Sequence, residues 1–202
     1  MATASHAFLR CLAPTCLLIL TGATMTATAT ASEPTAVPAA TAAPAPGALP
    51  SDAEGFAFLE GRWRVFHHQM KDAFAAKEEW VDYEGRARFF TLLDGLVSVE
   101  ELRTADGRPF GGAMRTFDRT QRTWSDAWVS AGNGVLQLPQ HGRFVNGVGT
   151  WESEEHHDGK RMLARGVWKR VSIDVVTWEQ MFSMDEGKSW KTNWSMRFER
   201  ID

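Results

Sequence analysis

Three polar side chains recur two positions away from bulky apolar ones. Trp63, Val65 and His67 alternate along one segment, Trp124, Asp126 and Trp128 along another, and Trp178, Gln180 and Phe182 along a third. In a strand, residues two apart share a face, so His67, Asp126 and Gln180 point the same way as the large apolar residues beside them. A buried polar group without a partner costs about 1–3 kcal/mol, so it marks a hydrogen-bond network or a ligand contact. His67 and Asp126 also have the composition of a general base and its orienting carboxylate. A cofactor-independent hydratase, isomerase or decarboxylase would use such a pair. Arg115 and Glu100 are the residue types for an ion pair beside them, with their facing left open.

Other chemistries find little support. His67-His68 and His156-His157 are adjacent pairs, and neighbours on a strand point to opposite faces, so neither pair supplies two ligands to one metal. No metal or cofactor is expected. No G-x-S-x-G and no phosphate loop occurs, and Tyr83 stands in no acid/base constellation. Glu100-Glu101 and Glu154-Glu155 read as solvated strand or hairpin residues, because paired carboxylates must share a face to act together.

The elements that must position these residues are strands. From Arg62 onward the chain alternates in polarity between Gly-rich turns and shows no helical period. The strand candidates are Trp63–Met70, Glu78–Phe90, Leu96–Thr104, Gly112–Phe117, Thr123–Ser130, Val135–Leu138, Val148–Ser153, Arg161–Arg170, Val175–Phe182 and Thr192–Arg200. Asp94-Gly95, Asp106-Gly107 and Asp158-Gly159 are turn dipeptides. Ser183 to Trp190 fits the S-x-D-x-G-x-[ST]-W Asp-box, a hairpin device in which the Asp bonds turn amides and the Trp packs beneath. Ten sequential strands leave two long edges in an open sheet, and closure removes them. The expected fold is all-β, an up-and-down antiparallel barrel of about ten strands, with a two-sheet sandwich as its competitor. A short helix over Asp52–Leu59, capped at Ser51-Asp52 and stopped by Gly61, precedes it.

Nine tryptophans are many for one domain. Alternation turns Trp128, Trp178 and Trp194 inward, with Trp80, Trp151 and Trp168 as further wall residues. A barrel of this size is either filled by side chains or holds one small ligand. The favoured function is a binding barrel for a small apolar or aromatic molecule. His67, Trp80, Asp126, Trp128, Trp178, Gln180 and Trp194 line its cavity. The alternatives are the cofactor-independent enzyme and a solid barrel that binds partners through its outer face.

The segments FAFLEGRWRV, LLDGLVSVEE, RTFDRTQRTWSDAWV, GVGTW and TWEQMFSMDEGKSWKTNWSMRFER together resemble a family of bacterial lipocalin-like, calycin-type proteins, a domain of unknown function. The likeness runs from about Phe56 to the end of the chain. It implies a small calycin-type barrel in which the Trp of Gly61-Arg62-Trp63 closes one end beneath a basic residue of the last strand, Arg197 or Arg200. It implies no particular reaction.

Ahead of the barrel, Arg10, the apolar run ending in Leu20 and Ala29-Thr30-Ala31 have the order of a secretory leader and its cleavage site. Residues 1–31 are therefore expected to be a signal peptide, 32–52 an Ala/Pro-rich tether and 53–202 the barrel, in a periplasmic or secreted protein. Cys11 and Cys16 are the only cysteines, so cleavage leaves no thiol for a disulfide or a metal. Losing Arg10 takes the formal charge from −3 to −4, with acids and bases interspersed. That balance favours neither nucleic acid nor an anionic membrane as partner.

Overall fold

The computed structural model describes residues 47–52 and 54–202. Leader, cleavage site and most of the tether lie outside these residues. A 3-10 turn, η1 (Ala57–Leu59), leads into β1 (Gly61–Met70), β2 (Trp80–Leu92), β3 (Val97–Thr104), β4 (Pro109–Asp118), β5 (Thr123–Ser130), β6 (Gln140–Val145), β7 (Val148–His157), β8 (Lys160–Arg170), β9 (Val175–Ser183) and β10 (Lys191–Arg200). Each strand pairs antiparallel with the next, and β1 pairs with β10 in the register Trp63↔Arg200, Val65↔Phe198, His67↔Met196, closing the ring. The all-β, up-and-down, ten-strand barrel fits a calycin-like fold, and closure gives every strand a neighbour on both sides.

Two elements differ from their sequence expectation. The Asp52–Leu59 helix contracts to the single turn Ala57–Leu59. Tertiary packing overrides helix propensity here. In the 3-10 turn Phe56 and Leu59 fall on one side and plunge into the barrel end, where both are buried. The sixth strand is Gln140–Val145, not Val135–Leu138; the latter forms an exposed loop held by one bridge, Leu136 to Val129. Gly142 disguises the real strand. A Cβ there would stand 2.0 Å from the Thr150 carbonyl oxygen, so the close approach of β6 to β7 requires glycine, a residue of low strand propensity.

One barrel end is filled solid. Phe56, Leu59, Trp63, Trp124, Phe144, Trp151, Trp168 and Phe198 form the core there. Phe56 makes edge contacts with Trp124 and Phe144, ring centroids 5.0 Å apart in each case. The indole N–H groups of Trp63 and Trp124 donate to the Leu59 and Glu54 carbonyls at 2.6 and 2.7 Å, tying the entering chain to the plug. Arg200 lies 4.1 Å above the Trp63 ring and donates to the carbonyls of Phe58 (2.7 Å) and Glu60 (2.6 Å). Arg197 points outward to Glu199, so of the two basic residues offered for closure only Arg200 covers Trp63. Gly61, at φ +119°, makes the turn under it; a Cβ would meet the Asp202 carbonyl at 2.6 Å.

The end of the expected tether is held in place. Gly47 N–H donates to the Arg119 carbonyl, and Arg122 donates to the Ala48 carbonyl and pairs with Glu54. At the opposite barrel end, the Ser183–Trp190 Asp-box forms the β9–β10 hairpin. Asp185 accepts from the Ser189 hydroxyl and amide, the Ser183 hydroxyl accepts from Gly187 N–H, and Trp190 donates to the Gly187 carbonyl. Hydrogen bonds from Ser189 first, and from Ser183, hold the Asp185 carboxyl down to about 2.

Candidate functional site

Beyond the plug, the interior opens into a cavity of about 240 Å³ near the end formed by the β5–β6 and β9–β10 connections. Nine of the ten strands contribute to it; only β2 does not. Alternation dictates which residues reach it. Gln69 follows Trp63, Val65 and His67 along β1; Asp126 and Trp128 follow Trp124 along β5; Glu155 follows Trp151 and Ser153 along β7. Trp178 and Gln180 enter from β9, Trp194 and Met196 from β10, and Trp168 from β8. Gln137 and Leu138 of the loop before β6 stand at the rim.

The floor is charged. Arg115 of β4 is almost wholly buried and donates through Nη2 to Glu100 Oε2 (2.6 Å) and through Nε to Asp126 Oδ2 (2.9 Å). Its guanidinium carbon lies 4.9 Å from the ring centre of Phe56 and 5.1 Å from that of Trp168, so cation–π contact joins the ionic floor to the plug. Burial raises the Glu100 carboxyl above its ordinary range, a shift opposed by the Arg115 charge. Glu100 Oε1, Arg115 Nη1 and the Trp168 indole N–H have no partner among the described residues. Behind the lining, Tyr83 donates to Gln69 at 2.6 Å, Asn193 to Gln180 at 3.1 Å, and Gln140 to Ser153 at 3.2 Å.

The structure brings together Asp126, Trp128, Trp178, Gln180 and Trp194 around this space. Trp80 is elsewhere. Its partner across the β1–β2 ladder is Met70, one step out of phase with His67, so the indole lies on the outer wall and stacks on His68 at 4.4 Å. The two Glu pairs are split across the wall rather than solvated together. Glu100 and Glu155 face in, while Glu101 pairs with Arg103 and Glu154 with Arg161 outside. Trp168 faces in, as expected of a further wall residue, and alternation also reaches Gln69, two positions beyond His67, and Glu155, four beyond Trp151.

His67 stands behind the wall. It stacks on Tyr83 with ring centres 4.3 Å apart, and its Nδ1 accepts from the Trp194 indole at 3.2 Å. An indole N–H can only donate, so the imidazole must be neutral with its proton on Nε2. Asp126 sits four strands away around the ring, bonded to Arg115. The His67–Asp126 base and orienter pair is therefore not assembled; His67 positions Trp194 instead.

This placement has a pH signature. Burial lowers the His67 pKa from 6.5 to about 4. A depressed folded-state value means that the unfolded chain binds the proton first on acidification. The contribution is complete above about pH 6.5 and is lost as pH falls toward 4, amounting to about 3 kcal/mol. Urea unfolding of the parent at pH 7.5 and 4.5 is expected to show most of that loss, and His67→Gln is expected to remove it from the difference between the two pH values. An equal acid loss in both proteins would place the sensitivity elsewhere.

Compared with protein-family models and with curated proteins, the chain matches none.

Proposed function

We propose that this protein is an exported binding barrel that holds one small molecule in the chamber above Arg115, against Trp128, Trp178 and Trp194. The observation that carries the reading is the division of the interior: one end is packed solid, whereas the other leaves about 240 Å³ walled by indoles and floored by polar groups. Binding sites combine aromatic walls with fixed polar groups that set orientation, and here the polar share of the lining is large, with Gln69, Gln140 and Glu155 among the indoles. Asp126 and Gln180 supply such groups. Charged residues such as Arg62, Arg64, Arg86 and Arg88 on the outer wall suit a barrel surrounded by water, as in the periplasm or outside the cell.

The cofactor-independent enzyme is less well supported, because the imidazole faces an indole and lacks a carboxylate partner. A solid interaction module is less well supported because the chamber is there.

Titrating the protein with a panel of small aromatic and apolar compounds, while following tryptophan emission, tests the proposal. With four indoles lining the chamber, a saturable change in intensity or wavelength is expected for at least one chemical class, and it is expected to vanish in Trp194→Leu while far-UV circular dichroism stays unchanged. Emission that ignores every member of the panel would overturn the reading.

A further inference from the structure

We infer that the chamber selects an organic cation, an amine or ammonium group carried on a small apolar or aromatic body. The inference rests on the ligand-binding reading above and specifies its ligand.

Three carboxylates reach the chamber, those of Glu100, Asp126 and Glu155, against the single guanidinium of Arg115. That guanidinium already serves two of them, with Nη2 on Glu100 and Nε on Asp126. The remaining charge is acidic, inside the barrel and beside indole rings, where an unbalanced charge acts more strongly than in bulk water. Glu100 Oε1, on a side chain 2 % exposed, is an acceptor with no donor among the described residues. A ligand N–H is the complement it lacks.

The walls favour the same chemistry. Indole faces carry negative electrostatic potential and attract ammonium groups more strongly than other aromatic rings do. Trp178 and Trp194 stand at 89° to each other with centroids 5.3 Å apart, two walls of an aromatic corner, and Trp128 lines the same chamber from β5. Glu155, its Oε1 bonded only by the Ser153 hydroxyl among the described residues, faces that space from β7. Arg115 Nη1 is also without a partner among the described residues and would favour an anion, but its guanidinium is packed on the rings of Phe56 and Trp168 at the floor. The two tendencies can be separated by charge-matched probes of one shape.

Isothermal titration of the full-length protein at pH 7 with benzylammonium, benzyl alcohol and benzoate provides that comparison. Benzylammonium is expected to bind at least about tenfold more tightly than benzyl alcohol, with benzoate weakest, as a desolvated cation–π contact predicts. Glu155→Gln, which removes a charge whose one hydrogen bond among the described residues is from Ser153, is expected to shrink the preference of benzylammonium over benzyl alcohol several-fold. Benzyl alcohol or benzoate binding as tightly as benzylammonium would overturn the cation while leaving a small-molecule site standing. A preference unaltered in Glu155→Gln would overturn the carboxylate assignment. Silence from all three probes and from the broader panel would overturn the binding reading itself.

Discussion

Arg115→Met is expected to cost about 3–5 kcal/mol at pH 7, the usual consequence of removing one member of a buried ionic group and leaving its partners uncompensated. Glu100 and Asp126 would remain on the chamber floor without the cation that both now contact at 2.6 and 2.9 Å. Methionine keeps much of the volume against Phe56 and Trp168, so the loss is electrostatic rather than a packing defect. The pH dependence identifies it. Burial already raises the Glu100 pKa, and loss of the opposing Arg115 charge raises it further. A raised folded-state value contributes stability that is present at low pH and lost as pH rises through it, so the variant is expected to recover part of its stability on acidification from pH 7 to 5.5. His67 works in the opposite sense over part of that range, so the measurement is made in the His67→Gln background. Adding Glu100→Gln to Arg115→Met is expected to restore stability at pH 7 and to flatten the pH profile. Urea midpoints for the single and double variants form the cycle, and a single-variant loss below about 1 kcal/mol would mean that solvent or ions reach the floor.

The division of the barrel into a packed end and an open end also separates what sequence could reveal from what it could not. Alternation is a local property, so it carried nine of the ten strands and the inward facing of Asp126, Trp128, Trp178, Gln180 and Trp194. It failed where a strand was disguised by Gly142, whose need is visible only once β7 lies against it. It also failed at Trp80, where the ladder with β1 decides the facing: Met70, its opposite number, is out of phase with Trp63 and His67. The partners of the polar groups were the least legible. Glu100, Arg115 and Asp126 come from three successive strands, and their meeting depends on register across two ladders, which no single segment records. His67 shows the same limit. Its burial followed from alternation, whereas its bond to Trp194, 127 positions later, follows from closure of β1 on β10.

Closure of that seam makes Trp63 the residue whose truncation should be felt most at the packed end. Trp63→Ala is expected to destabilise the fold by about 3–5 kcal/mol, as large aromatic truncations in cores do. Three losses coincide. The side chain is fully buried, so its removal leaves a void among η1, β1 and β10; the Leu59 carbonyl loses the indole donor at 2.6 Å; and Arg200 loses the ring that lies 4.1 Å beneath it. Arg200 would still donate to Phe58 and Glu60, so the cap is weakened rather than abolished. Trp63→Phe keeps a ring under the guanidinium but not the N–H, and a loss of roughly 1–2 kcal/mol is expected. Because Trp63 and the chamber lie at opposite ends of β1, the fraction of Trp63→Ala that remains folded should bind any chamber ligand with parental affinity. Urea unfolding with the slope held constant measures the first effect, and ligand titration well below the midpoint measures the second. A large fall in affinity without loss of stability would show that the two ends are coupled, and the plug would then belong to the site.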